Sequence, residues 1–141
     1  KIPLEEKQIT AEVCIHHLWF TNEDYETKGN YIKWNPAVKT AADRDALWEA
    51  LLDDRIDVIA TDHAPHTLEE KARPYPASPS GMPGVQTLVP VMLTHVAEGR
   101  LTIERFVDLT SAGANRVFGI AGIDPDLSNH PSGPCRPRST P

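Results

Sequence analysis

The run Ile56-Asp57-Val58-Ile59-Ala60-Thr61 constrains the fold more than any other stretch. It is short, β-branched and mostly apolar, as a parallel strand covered on both faces should be. It stops at the polar cluster Asp62-His63-Ala64-Pro65-His66. Parallel strands are joined by long crossovers, usually helical. The run therefore points to an α/β fold. In such folds functional groups collect at the C-terminal ends of the strands, which is where this cluster lies.

The rest of the chain supplies the partners. Residues 9–15, with apolar side chains at 9, 11, 13 and 15, read as a second strand that ends at His16-His17. Thr21-Asn22-Glu23-Asp24 can cap a short helical turn. Tyr31-Ile32-Lys33-Trp34 reads as a short strand stopped at Asn35-Pro36. Thr40 caps a helix over 41–53 whose predicted apolar face is Ala42, Ala46, Leu47, Ala50 and Leu51. Residues 67–84 read as a long loop rich in Pro and Gly. Helices follow at about 85–98, 102–109 and 111–118, with Thr102 and Ser111 as caps and Gly99 and Gly119 at helix ends. This order fits part of a βα-barrel or a doubly wound sheet.

Composition narrows the function. Fourteen Lys+Arg against 20 Asp+Glu give a net charge of −6, which argues against nucleic acid as a partner. No apolar run approaches the length of a membrane span. Two cysteines, Cys14 and Cys135, make no disulfide framework, and a cytoplasmic setting is expected. The chain starts at Lys1, and Asp124–Pro141 holds five of its 13 prolines, so a fragment with a disordered or artefactual tail is expected, with residues 1–123 as the folded part.

Asp62 is the candidate for chemistry. A carboxylate at a strand end can ligate a metal through one oxygen and take a proton with the other. His66 can reach a ligand beside that metal, and His63 is a second donor. The plainer reading, in which Asp62 caps a turn and the histidines bond within a loop, weighs about equally on spacing alone. His16 and His17, as neighbours on a strand, face opposite ways and should not share an ion. One is expected to pack in the interior and the other to bond backbone. Cys14 reads as a small buried hydrophobe. Trp19, Trp34 and Trp48 are expected in core or interface positions. Glu69-Glu70-Lys71 reads as a solvated surface run.

Four collinear stretches carry a family resemblance. Ala60-Thr61-Asp62-His63-Ala64-Pro65-His66-Thr67-Leu68-Glu69-Glu70-Lys71 resembles the signature of dihydroorotases, in the cyclic amidohydrolase branch of the amidohydrolase superfamily. Glu12–Leu18 resembles their EV-x-x-HHL segment, Lys33–Lys39 their NPP-L-R segment and Ser80–Thr87 their FG-x-x-GFET loop. The likeness covers about residues 8–123. Allantoinases and dihydropyrimidinases are the near alternatives.

The resemblance implies the last strands of a (β/α)8 barrel with one or two zinc ions at the C-terminal strand ends. It implies interconversion of dihydroorotate and N-carbamoyl-aspartate in pyrimidine synthesis. In that pattern Asp62 binds metal, accepts the proton of the attacking water and passes it to the leaving nitrogen. His66 binds the substrate carboxylate, Asn35 contacts the substrate, and backbone at Ser80 and Gly81 contacts the ring. A homo-oligomer is expected, with association with aspartate transcarbamoylase as a further prospect. Ser80 and Lys39 depart from the family pattern. The H-x-H, the bridging ligand and two His ligands are expected upstream. With Asp62 as its one metal ligand, the chain alone is expected neither to hold zinc well nor to catalyse. A non-catalytic assembly partner, or an enzyme for hydantoin, dihydropyrimidine or allantoin, are the other readings.

Overall fold

The computed structural model describes residues 6–120. The proposed tail at 124–141 lies outside them. β1 (Glu12–Cys14) and β2 (Val58–Ala60) pair in parallel, with Glu12 opposite Val58, Val13 opposite Ile59 and Cys14 opposite Ala60. The crossover between them carries α1 (Ile15–Trp19), α2 (Tyr25–Lys28) and α3 (Ala41–Leu52). After β2 come α4 (Leu68–Lys71), α5 (Val85–Ala97), α6 (Ile103–Val107) and α7 (Gly113–Phe118).

The main core joins β1, β2 and the helices through Val13, Ile15, Leu18, Trp48, Leu51, Ile59, Met92, Phe106 and Leu109. α3 starts as expected: Thr40 Oγ1 accepts from the Asp43 N–H, and Asp43 accepts from the Thr40 N–H at 3.0 Å. Of its expected face, Leu47, Ala50 and Leu51 pack on the core, and Trp48 joins them in place of Ala42 and Ala46. Trp48 and Leu51 are buried, whereas Ala42 and Ala46 are exposed. The indole offers far more apolar area than two alanines, and its Nε1–H donates to Leu18 O at 3.0 Å.

Three further expectations are corrected. The first strand is shorter, because Ile15 already begins α1. Tyr31–Trp34 is no strand: Gly29–Ile32 is a 3-10 turn closed by Lys33 N–H to Asn30 O at 3.0 Å. Ile32 and Trp34 are buried on either side of Lys33, so the period of two is real although no ladder forms. They build a second cluster with Val38, and Phe20, Tyr25 and Met82 pack on it. Finally, Ser111 caps nothing. It sits in a π-helical turn, Asp108–Ala112, that joins α6 to α7 without a break. Gly113 explains the packing there: a Cβ would lie 2.6 Å from Asp108 O and 3.0 Å from Asp57 O. Only glycine lets this helix meet the start of β2 so closely.

The N-terminal end of β2 is tied down by charge. Asp57 is buried and pairs with Lys7 at 2.5 Å, while its other oxygen accepts the Ala11 N–H at 2.9 Å. Arg105 donates to Leu51 O at 2.8 Å and Ile56 O at 3.1 Å, and pairs with Asp54 and Asp108.

Candidate active site

At the other end of β2 the chain turns through Asp62 at φ 46°. Asp is among the few residues that visit this left-handed region with little strain. Asp62 is exposed, and among the described residues its carboxylate makes no hydrogen bond or ion pair. It does act at a distance: the Cys14 thiol is pushed up to about 11 by burial first, then by the charges of Asp62 and Glu12. Cys14 and Asp62 thus share the C-terminal mouth of the two strands.

The residues after Asp62 build one wall. His63 Nδ1 accepts the Gly84 N–H at 3.1 Å and the Val85 N–H at 3.3 Å, so it anchors the start of α5. His66 Nε2–H donates to Ser80 O at 3.0 Å, and its Nδ1 lies 3.8 Å from Glu70. Gly81, at φ 113°, packs so tightly that a Cβ would lie 2.6 Å from Ala64 Cβ and 3.5 Å from His66 Nε2. His66, Ser80 and Gly81, three of the expected substrate contacts, are therefore neighbours. Asn35 and Ser80 line one cavity of about 430 Å³ with Lys33, Trp34 and Tyr75. No described contact joins Asp62 to Asn35.

Lysine holds this wall in place, and the sequence reading missed it. Lys71 is 4% exposed rather than solvated. Its ammonium donates to Lys33 O at 3.2 Å, Pro79 O at 2.9 Å and Gly81 O at 2.8 Å. Burial, then the nearby Lys33 charge, lowers its pKa. Lys33 in turn donates to Pro76 O at 3.1 Å and Ser78 O at 2.6 Å and lies over the Tyr75 ring at 4.2 Å. The available signal was Thr67-x-x-Glu70, a capping box that the structure contains. It starts α4 inside the expected loop and turns Lys71 inward.

The two adjacent histidines lie on α1 rather than on a strand. His16 is buried and stacks on Trp34, centroids 4.1 Å apart at 14°. Burial, then His17, lowers its pKa to about 4. His17 Nε2–H donates to Pro36 O at 3.1 Å. One histidine packs and one bonds backbone, as expected. The expected divergence of their side chains fails, since the rings lie 4.3 Å apart. Trp48 and Trp34 are buried, whereas Trp19 is 45% exposed.

The chemistry of the donor set fits a cation in part. A carboxylate with no partner among the described residues at a strand mouth suits a zinc ligand, but one carboxylate does not fix a metal. Among the described residues, no helix is long and apolar enough to cross a membrane.

No family model matches the chain. Curated proteins do. The dihydroorotase of Halobacterium salinarum is 43% identical over 125 residues, 84% of this chain and 30% of the relative. That of Deinococcus radiodurans is 46% identical over 111 residues, 79% of this chain and 26% of the relative. Among solved structures, the L-hydantoinase (dihydropyrimidinase) from Arthrobacter aurescens matches with a TM-score of 0.78 at 33% identity, over 84% of this chain and 27% of that one. The inactive dihydroorotase-like domain of a Chaetomium thermophilum CAD-like multifunctional protein matches with a TM-score of 0.58 at 24% identity, over 79% of this chain and 29% of that one, and so shares the fold alone. The chain spans less than a third of the length of these proteins. The fold class expected from the sequence, part of a (β/α)8 hydrolase barrel, agrees with these neighbours. By sequence and by fold, the chain belongs to the dihydroorotase family of cyclic amidohydrolases.

Proposed function

We propose that this segment supplies the proton-transfer side of an active site that opens a cyclic amide, with dihydroorotate as substrate. The observation that carries the reading is Asp62: exposed, without a partner among the described residues, and held at the C-terminal end of β2 by a left-handed turn. Bound zinc, held in part by Asp62, would polarise the ring carbonyl and favour attack by water. Asp62 takes a proton from the attacking water and returns it to the ring nitrogen as the C–N bond breaks. His66 and Asn35 hold the substrate carboxylate. Backbone at Ser80 and Gly81 positions the ring, on a wall kept rigid by Lys71 and Lys33.

Dihydroorotate is preferred over hydantoin or dihydropyrimidine because the dihydroorotase relatives reach 43% and 46% identity, against 33% for the hydantoinase structure. The assembly-partner reading gains only a shared fold. A place in cytoplasmic pyrimidine synthesis, a homo-oligomer and contact with aspartate transcarbamoylase belong to the same proposal. With Asp62 as the one ligand of that zinc, the chain by itself is not expected to turn over substrate.

The test is a chimera in which this segment replaces the matching residues of the Deinococcus radiodurans dihydroorotase. Hydrolysis of dihydroorotate supports the proposal. A folded chimera that hydrolyses only hydantoin or dihydropyrimidine, or nothing, refutes it.

A further inference from the structure

Two ammonium groups meet at the loop that carries Ser80 and Gly81. Lys71 is buried and Lys33 is half-buried. Together they bracket Ser80: Lys33 donates to Pro76 O and Ser78 O, and Lys71 to Pro79 O and Gly81 O. Among the described residues neither makes an ion pair with a carboxylate. Carbonyl oxygens satisfy their hydrogens but leave the charge standing. Charge withdrawn from water is costly, and a fold normally answers it with the opposite charge. Here the fold withdraws two like charges and answers neither.

The position of Lys33 gives that charge a use. It lines the cavity of about 430 Å³ that also holds Asn35 and Ser80, and it is the one charged side chain among the described residues of that lining. The Tyr75 ring lies over its ammonium at 4.2 Å, which favours the charged form. Glu70 is the acid beside His66, 3.8 Å from Nδ1, and it accepts the Thr67 N–H. That N–H first, then His66 and Arg73, hold its carboxyl below the usual range. Arg73 thus answers Glu70, and the two lysines keep their surplus.

We propose that Lys33, backed by Lys71, determines specificity by charge: the pair favours a ring substrate that carries a carboxylate over the same ring without one. Lys33 touches no reacting atom. Its field acts on the carboxylate that Asn35 and His66 hold, and protein walls screen that field less than bulk water does. A chain of net charge −6 repels an anion at large, so a local positive field is what admits one. The inference rests on the dihydroorotate reading of the site and adds the groups that select the anion.

The test compares dihydroorotate with dihydrouracil, the same ring without the carboxylate. Both are titrated calorimetrically into the chimera carrying Asp62→Asn, so that binding is read with turnover silenced and its result stands apart from the hydrolysis test above. Lys33→Met should raise Kd for dihydroorotate at least about fivefold and leave Kd for dihydrouracil within about twofold. Lys33→Arg, which keeps the charge, should restore dihydroorotate to within about twofold. If Lys33→Met does not fold, Lys33→Gln decides, because it removes the charge and keeps an N–H donor for the loop carbonyls. Equal weakening of both ligands would make Lys33 a loop support only and overturn the proposal. So would an unchanged Kd for dihydroorotate, or a chimera that binds dihydrouracil as tightly as dihydroorotate.

Discussion

Asp57 and Asp62 flank the same three-residue strand and lead opposite lives. Asp57 is 8% exposed, paired with Lys7 and bonded to the Ala11 N–H. Asp62 is exposed, turned through a left-handed backbone, and bonded to nothing among the described residues. Around Asp57 the protein adds Arg105 and the close approach of Gly113. Around Asp62 it adds a wall of loops held by lysines. One end of the strand is committed to stability and the other is kept available, the division a βα-barrel imposes on its two faces.

The comparison can be broken from either end. In the chimera, Asp57→Ala removes the counter-charge of the Lys7 ammonium, whose side chain is 12% exposed and which keeps only Asp54 O at 2.8 Å. It should cost about 3–5 kcal/mol, read as a lower denaturation midpoint. A loss under about 1 kcal/mol would mean the pair is structurally idle. Lys71→Met comes next. It removes the donor to Pro79 O and Gly81 O, while Lys33 O keeps the Gly81 N–H, and should cost ~2 kcal/mol. It should also raise KM, because Ser80 and Gly81 lose their support. An unchanged KM would separate the latch from the site.

His66→Ala should be milder for the fold and sharper for binding. The account expects KM for dihydroorotate to rise about tenfold or more, with kcat changed less. A fall in kcat at constant KM would move His66 from binding into the chemistry. Smallest is the α3 cap, remote from the mouth. Thr40→Ala should cost about 1 kcal/mol and leave both kinetic constants alone. Hydrogen bonds from Thr40, side chain first, hold the Asp43 carboxyl below its usual 3.8. The folded value is thus depressed, so the cap's contribution is present above pH 3.8 and fades as pH falls through the lowered value. Thr40→Ala should flatten that part of the melting curve's pH dependence.

What the sequence told depended on range. The existence of strand β2, though it is shorter (Val58–Ala60) than the expected run from Ile56 to Thr61, the Thr40 and Thr102 caps and the glycines after α5 and α7 were legible because each is decided within a few residues. The 3-10 turn at Gly29–Ile32 was not, since alternating burial of Ile32 and Trp34 looks the same with or without a strand partner. The burial of Trp48 on α3 was not legible, because its indole bonds a residue 30 positions away. Lys71 was misread because charge suggests solvent, and only the fold brings three carbonyls to meet it. The histidine pair was half legible: their roles were foreseen, but their nearness needed α1 to start at Ile15.

The central claim is that Asp62 is held for chemistry and owes nothing to stability. Asp62→Asn in the chimera tests it, because Asn accepts the same backbone region. Turnover of dihydroorotate should fall about 10²–10⁴-fold, while unfolding free energy stays within about 0.5 kcal/mol. Near-normal turnover, or a loss of turnover matched by a loss of folding, would contradict the account.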